Sequence, residues 1–161
     1  MILVRHARPA VDASTPSAEW ALTPEGVAAA AELGYHLRGT SVVASTERKA
    51  IETAAALTLG PVTCDADLCE VTRPWYADAD ALGAATARWF DGAEVEGWEP
   101  FGDAVERFDR GARGAEIVVT HGTVMTAWLT SIGFVDDPMQ FWSDLRMPDA
   151  WDVGRTLRRC R

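Results

Sequence analysis

Two short stretches of this 161-residue chain pair a histidine with groups suited to phosphorus chemistry. Arg5-His6 follows the branched apolar run Ile2-Leu3-Val4, and His121-Gly122 follows Ile117-Val118-Val119-Thr120. A lone histidine beside a strand is ordinarily a hydrogen-bonded structural imidazole. Two of them, each leaving a strand, with Arg5 beside one and Arg48 at the start of a helix, form a different set. The planar fork of arginine matches phosphoryl oxygens, and a neutral imidazole supplies a nucleophile. Phosphoryl transfer asks mostly for positioning and for charge neutralisation over the equatorial oxygens. Two arginines, two histidines and a carboxylate at one sheet edge meet that need. Only Lys49 among the 15 basic residues is a lysine, so an anion site is expected to rest on arginine.

The elements that must position these groups follow from the apolar pattern. Short branched runs bounded by turn formers predict strands at 1–5, 41–44, 62–64, 116–120 and 150–153. Thr23 as N-cap, Pro24 at the first helical position and Glu25 in the first turn open a helix that runs to residue 37 and is closed by Gly39. Thr46 caps a second helix over 47–59, stopped by Gly60 and Pro61. Further helices are expected at 79–90, 102–111, 124–132 and 138–145, with 65–74 irregular. His36 falls on the surface of the first helix. The end of the chain, with Arg155, Arg158, Arg159 and Arg161, reads as a solvated basic tail, or alternatively as an anion-binding patch. Strands alternating with helices predict an α/β fold, a three-layer α/β/α sandwich around a mostly parallel central sheet. Ligands are then expected outside the carboxyl ends of the strands, where His6 and His121 fall.

Composition narrows the function classes. With 48% hydrophobic and 24% charged residues the chain is globular, and its length suits one domain over 1–161 with a small cap region around 65–105. Its apolar runs fall far short of the roughly 20 residues of a membrane span, and residues 1–6 carry no leader pattern, so a cytoplasmic protein is expected. A net charge of −9 opposes nucleic-acid binding. Cys64, Cys69 and Cys160 are odd in number and lack a CxxC, which predicts reduced thiols and no structural zinc. The positions six after Cys64 and Cys69 hold Glu70 and Trp75, which excludes a Cys-x5-Arg phosphatase. Asp65-Ala66-Asp67-Leu68-Cys69 misses the magnesium-dependent aspartate pattern at its last position, and no GxxxxGK loop occurs. Arg5 beside His6 opposes a bound metal cation, so neither metal nor other cofactor is expected.

Four separated motifs resemble the histidine phosphatase superfamily, the phosphoglycerate mutase-like family. They are Ile2-Leu3-Val4-Arg5-His6-Ala7, with Ala7 for the usual Gly; Leu22-Thr23-Pro24-Glu25-Gly26; the segment from Ala44-Ser45 to Thr53-Ala54; and Val118-Val119-Thr120-His121-Gly122. In the third, Arg48 takes the place of the family arginine and Lys49 counts as one extra residue before Ala50. The resemblance implies that His6 becomes phosphohistidine and that Arg5, Arg48 and His121 bind the phosphoryl group. In Leu68-Cys69-Glu70 it implies that Glu70 protonates the leaving oxygen and then activates water, with Asp65 and Asp67 as fallbacks. Arg8 either adds a third positive charge to the pocket or faces solvent. Trp75, Tyr76, Trp98 and Phe101 either wall a substrate pocket or pack in the core. The mutases of the family continue after the histidine with Glu-Ser-x-x-Asn, where this chain has Arg8-Pro9-Ala10-Val11-Asp12, which favours hydrolysis. The expected substrate is a small phosphomonoester. A phosphohistidine phosphatase acting on protein, or a non-hydrolytic binder of a phosphorylated ligand, is the alternative.

Overall fold

The computed structural model describes residues 1–39 and 41–160. Strands β1 (Ile2–Arg5), β2 (Val42–Ser45), β3 (Val62–Asp65), β4 (Ile117–Thr120), β5 (Asp149–Val153) and β6 (Leu157–Arg159) form one sheet in the order β3-β2-β4-β1-β5-β6. The first four strands are mutually parallel, and β5 runs antiparallel to both β1 and β6. Six α-helices flank the sheet: α1 (Pro24–Gly34), α2 (Arg48–Leu57), α3 (Ala79–Phe90), α4 (Phe101–Ala112), α5 (Gly122–Ser131) and α6 (Pro138–Asp144). The predicted α/β architecture with a mostly parallel central sheet is what the chain adopts.

Alternation along the strands divides the core between the two faces of the sheet. Leu3 and Val118, cross-strand partners, join Phe108, Val124, Met125 and Leu129 from α4 and α5. Val4, Val42, Ile117 and Val119 face the other way, onto Ala50, Ala54 and Leu57 of α2. Gly34 closes α1 where that helix crosses α2, since a Cβ there would lie 2.3 Å from the Leu57 carbonyl oxygen. This crossing ends α1 three residues before the expected stop, and it leaves His36 exposed in the turn beyond the helix. Glu47, rather than Thr46, stands at the N-cap of α2.

The basic tail is only in part a solvated end. Leu157–Arg159 pairs with β5 and covers its edge, and Arg159 bonds Asp149 at 3.1 Å and the Asp144 carbonyl at 2.9 Å while lying over the Trp151 ring. Arg158 bonds Asp152 at 2.9 Å. Asp149 thus holds Arg159 against the sheet, while Arg155 and Arg158 stay exposed as expected of a solvated end and Arg161 lies outside the described residues. No described helix is long and apolar enough to cross a membrane.

Candidate active site

Three neighbouring parallel strands, β2, β4 and β1, end side by side, and their carboxyl ends deliver Ser45, His121 and His6 to one edge. The His6 amide bonds the Thr120 carbonyl at 2.9 Å, so the ladder holds the backbone one residue past the strand. The two imidazoles have ring centroids 5.1 Å apart. Nδ1 of His6 lies 2.8 Å from the Ala7 carbonyl oxygen. A carbonyl only accepts, so Nδ1 carries the proton and Nε2 keeps its lone pair for an electrophile. Ala7 is held in turn by its amide, which donates to Thr53 Oγ1 at 2.9 Å. His121 Nε2 lies 2.8 Å from Ser45 Oγ, and its buried Nδ1 has no partner among the described residues.

Both imidazoles are neutral at physiological pH. Burial is the main cause, assisted for His6 by His121, Lys49 and Arg5 and for His121 by Lys49, Arg107 and Arg5, and it holds each at about 3. An unfolded imidazole titrates near the ordinary 6.5, so the unfolded chain binds more protons between those values and stability falls as pH drops through that window. The midpoint of urea unfolding, measured in salt concentrated enough to screen the net charge, is accordingly expected to decrease between pH 6.5 and 5. An unchanged or higher midpoint at pH 5 would contradict the neutral pair.

The cations differ from the sequence expectation. Arg5 reaches across Gly122, where a Cβ would stand 3.1 Å from its Nε, and its Nη1 donates to the Leu145 carbonyl at 2.9 Å. Its buried Nε is unbonded among the described residues. Arg48 does not reach the cleft: its side chain is 59% exposed, and its Nε bonds Glu52 at 2.7 Å on the outer face of α2. Lys49 takes that place, 7% exposed, donating to the Ser17 carbonyl at 2.8 Å and to Glu47. Adjacent helical residues point about 100° apart, so only one of the two can face the sheet edge. Thr53, four residues on from Lys49, shares its face and donates to the Lys49 carbonyl at 2.7 Å. Lys49 is therefore not an extra residue in the motif, and the cations that line the cleft beside the histidines are not arginine alone.

Among the acids, Glu70 lines the cleft. Asp65 caps the turn over Ala66–Leu68 by accepting from the Asp67 amide, and Asp67 pairs with Arg110 at 3.2 Å; neither lines the cleft. Glu70 sits at the N-terminus of α5, accepting from the Val124 amide at 3.0 Å and the Thr123 amide at 3.2 Å, and from Val71 at 3.0 Å. Desolvation opposes its charge, but His121 when protonated, Arg73 and the amide donors outweigh it and hold the carboxyl at about 2.

Two further residues escaped the sequence reading. Buried Glu47 accepts from the Glu70 amide at 2.8 Å, lies 3.4 Å from His121 Nε2 and pairs with Lys49. Arg107 of α4 grips the carbonyls of Asp67, Cys69 and Glu70 at 2.7, 2.8 and 3.1 Å while its fork meets Glu99, so it fixes the segment that carries Glu70. Glu47 stands two residues before its partner Lys49, which is the one local signal; its contacts with Glu70 and His121, and those of Arg107 with the backbone at 67–70, join distant segments.

Arg8 is exposed at the rim of the cleft. Trp75 also lines it, whereas Tyr76, Trp98 and Phe101 do not; Trp98 donates to the Tyr76 hydroxyl at 3.0 Å, and Trp98 and Phe101 pack on Trp89. The whole cleft has a volume of about 820 Å³. Among the described residues no group of three or more His, Cys, Asp or Glu side chains is placed to hold a metal ion. Neutral imidazole, Arg5, Lys49 and an ionised carboxylate around one space can bind a phosphoryl group, attack it and exchange a proton with its leaving group.

Solved structures share this fold. A phosphoglycerate mutase from Thermus thermophilus aligns with a TM-score of 0.72 at 22% identity, over 100% of this chain and 99% of the other. An alpha-ribazole phosphatase from Shigella flexneri gives 0.65 at 21%, over 99% and 96%. A mycobacterial glucosyl-3-phosphoglycerate phosphatase gives 0.65 at 20%, over 99% and 95%. At such identities the likeness establishes the fold alone. Among curated proteins there is no significant sequence match. The model of the histidine phosphatase superfamily (branch 1) matches residues 1–151, which cover both histidine motifs, and the chain belongs to that superfamily.

Proposed function

We propose that this chain is a phosphatase that hydrolyses a phosphomonoester through a phosphohistidine on His6, without a metal ion. The observation that carries the reading is the His6 ring itself: Nδ1 is committed to the Ala7 carbonyl, the imidazole is neutral, and Nε2 is left as the nucleophilic atom beside Arg5 and Lys49. Nε2 attacks phosphorus, the P–O bond to the leaving group breaks, and the departing oxygen takes a proton from Glu70. Water then attacks the phosphohistidine, gives a proton to Glu70, and inorganic phosphate leaves with His6 restored.

The resting Glu70 is ionised, which suits the second step. In the first, a bound phosphoryl dianion places like charge next to the carboxylate and raises its affinity for a proton. Arg5, Lys49 and His121 neutralise or bond the equatorial oxygens throughout, and Arg8 reaches the leaving group from the rim. The residues after His6 match no mutase pattern, which supports transfer to water over transfer to a second substrate.

The test is turnover of p-nitrophenyl phosphate in EDTA with and without vanadate, followed by an alkaline quench and intact-mass measurement. Metal-free release of nitrophenol, vanadate inhibition and a protein species heavier by one phosphoryl group are expected. Strict dependence on magnesium, or turnover with no phosphorylated species at any time, would overturn the mechanism. Failure to turn over any monoester while still binding vanadate would favour the non-hydrolytic reading.

A further inference from the structure

The phosphoryl site occupies only the floor of its cleft. About 820 Å³ falls within the range of roughly 300–1,000 Å³ that small-molecule sites span, and it leaves most of the space to whatever the phosphate is attached to. The chemistry of that outer space is apolar. Seven large hydrophobic side chains are exposed among the described residues, and three of them, Val11 at 62%, Trp75 at 54% and Met147 at 39%, line this cleft. Trp20, Leu82 and Trp142 line it with them. Exposed apolar groups gathered at one concavity mark a binding surface, whereas scattered ones need no explanation.

The wall is also fixed in shape. Trp20 is anchored by its indole N–H, which donates to the Asp12 carbonyl at 2.8 Å, and it is nearly buried. Trp75 meets it edge to face, with ring centroids 5.1 Å apart at 88°. One indole is thus held as a buttress, and the other stands half exposed against it in the cleft lining at little entropic cost. No carboxylate stands in this outer region: the lining acids, Glu47 and Glu70, interact with the histidine and lysine floor, and the outer charged groups are the cations Arg8 and Arg73, which favour an anionic ester.

Resting on the phosphatase reading above, we propose that the substrate is a phosphomonoester whose alcohol carries a flat aromatic group, seated between Trp75 and the apolar wall. Small hydrophilic esters lack anything to cover Trp75, Val11 and Met147, and they leave that wall wet.

The experiment compares two primary alkyl phosphates of similar leaving-group chemistry, 2-phenylethyl phosphate and glycerol 1-phosphate, on the wild type and on Trp75→Ala, by phosphate release. The aromatic ester is expected to have a kcat/KM at least about 10-fold higher, the ratio that burying one ring supplies, mostly through KM. In Trp75→Ala the ratio is expected to fall towards one while glycerol 1-phosphate turnover is kept, which shows that the variant is folded. Val11→Asp, at another exposed apolar position of the lining, is expected to erode the ratio in the same way. Equal kcat/KM values for the two esters on the wild type would overturn this proposal and leave the phosphatase reading standing. So would higher efficiency on a phosphorylated peptide than on either ester. Absence of turnover and of a phosphorylated protein with every ester would overturn both.

Discussion

His6→Ala is expected to reduce metal-free turnover of p-nitrophenyl phosphate by at least about 10⁴-fold and to abolish the phosphorylated protein species. The size follows from what the ring supplies. His121 also has a neutral nitrogen to spare, but that atom is its fully buried Nδ1, whereas His6 keeps a sliver of exposure at the cleft, and Arg5 and Lys49 are cations. The substitution removes a nearly buried side chain whose one hydrogen bond is to the neighbouring carbonyl, so the strand and its ladder bond to Thr120 remain. Vanadate binding, which draws on Arg5, Lys49 and His121, should survive in weakened form and reports that the pocket is intact. Undiminished phosphorylation of the variant would move the nucleophile elsewhere, His121 first.

The second large effect separates two adjacent residues. Lys49→Met is expected to lower kcat/KM by about 10²–10³-fold, the usual loss for one oriented charge at a reacting centre, whereas Arg48→Met should change it by less than about twofold. Lys49 is in the cleft beside His121, and removing it also leaves the carboxylate of Glu47 unpaired in the phosphoryl site, where it repels the substrate. Part of the loss should therefore return in the double variant Glu47→Gln/Lys49→Met, in which the glutamine keeps an acceptor for the Glu70 amide. Arg48 contributes only an exposed pair with Glu52 four residues on, worth about 0.3–0.5 kcal/mol in such positions. Kinetics on the three variants with one substrate decide the matter. A larger loss from Arg48 than from Lys49 would restore the arginine to the phosphoryl site.

The sequence alone determined the parts of this protein that are written locally. Branched runs at Ile2–Arg5 and Ile117–Thr120, each leading into a histidine, announce strands that end at functional groups, and Thr23-Pro24 announces a helix start, because side-chain branching and backbone capping act over a few residues. The parallel α/β class follows from the alternation of such elements. The order of strands does not. That β4 inserts between β1 and β2, and so sets His121 between His6 and Ser45, is a result of packing across the whole chain.

Tertiary structure likewise decided between Lys49 and Arg48. Charge type favoured the arginine, but helix phase is set by which face of α2 buries Ala50, Ala54 and Leu57 against the sheet. It turned the chain's single lysine inward. The contact of Glu47 with His121, and the grip of Arg107 on the backbone before Glu70, are invisible in one dimension for the same reason: contacts between distant segments form only when the core that joins them is buried. The tail shows it too, since Arg159 reads as a solvated charge until β5 supplies Asp149 beside it. Local chemistry in the chain named the histidines; burial and helix phase decided which charges stand around them.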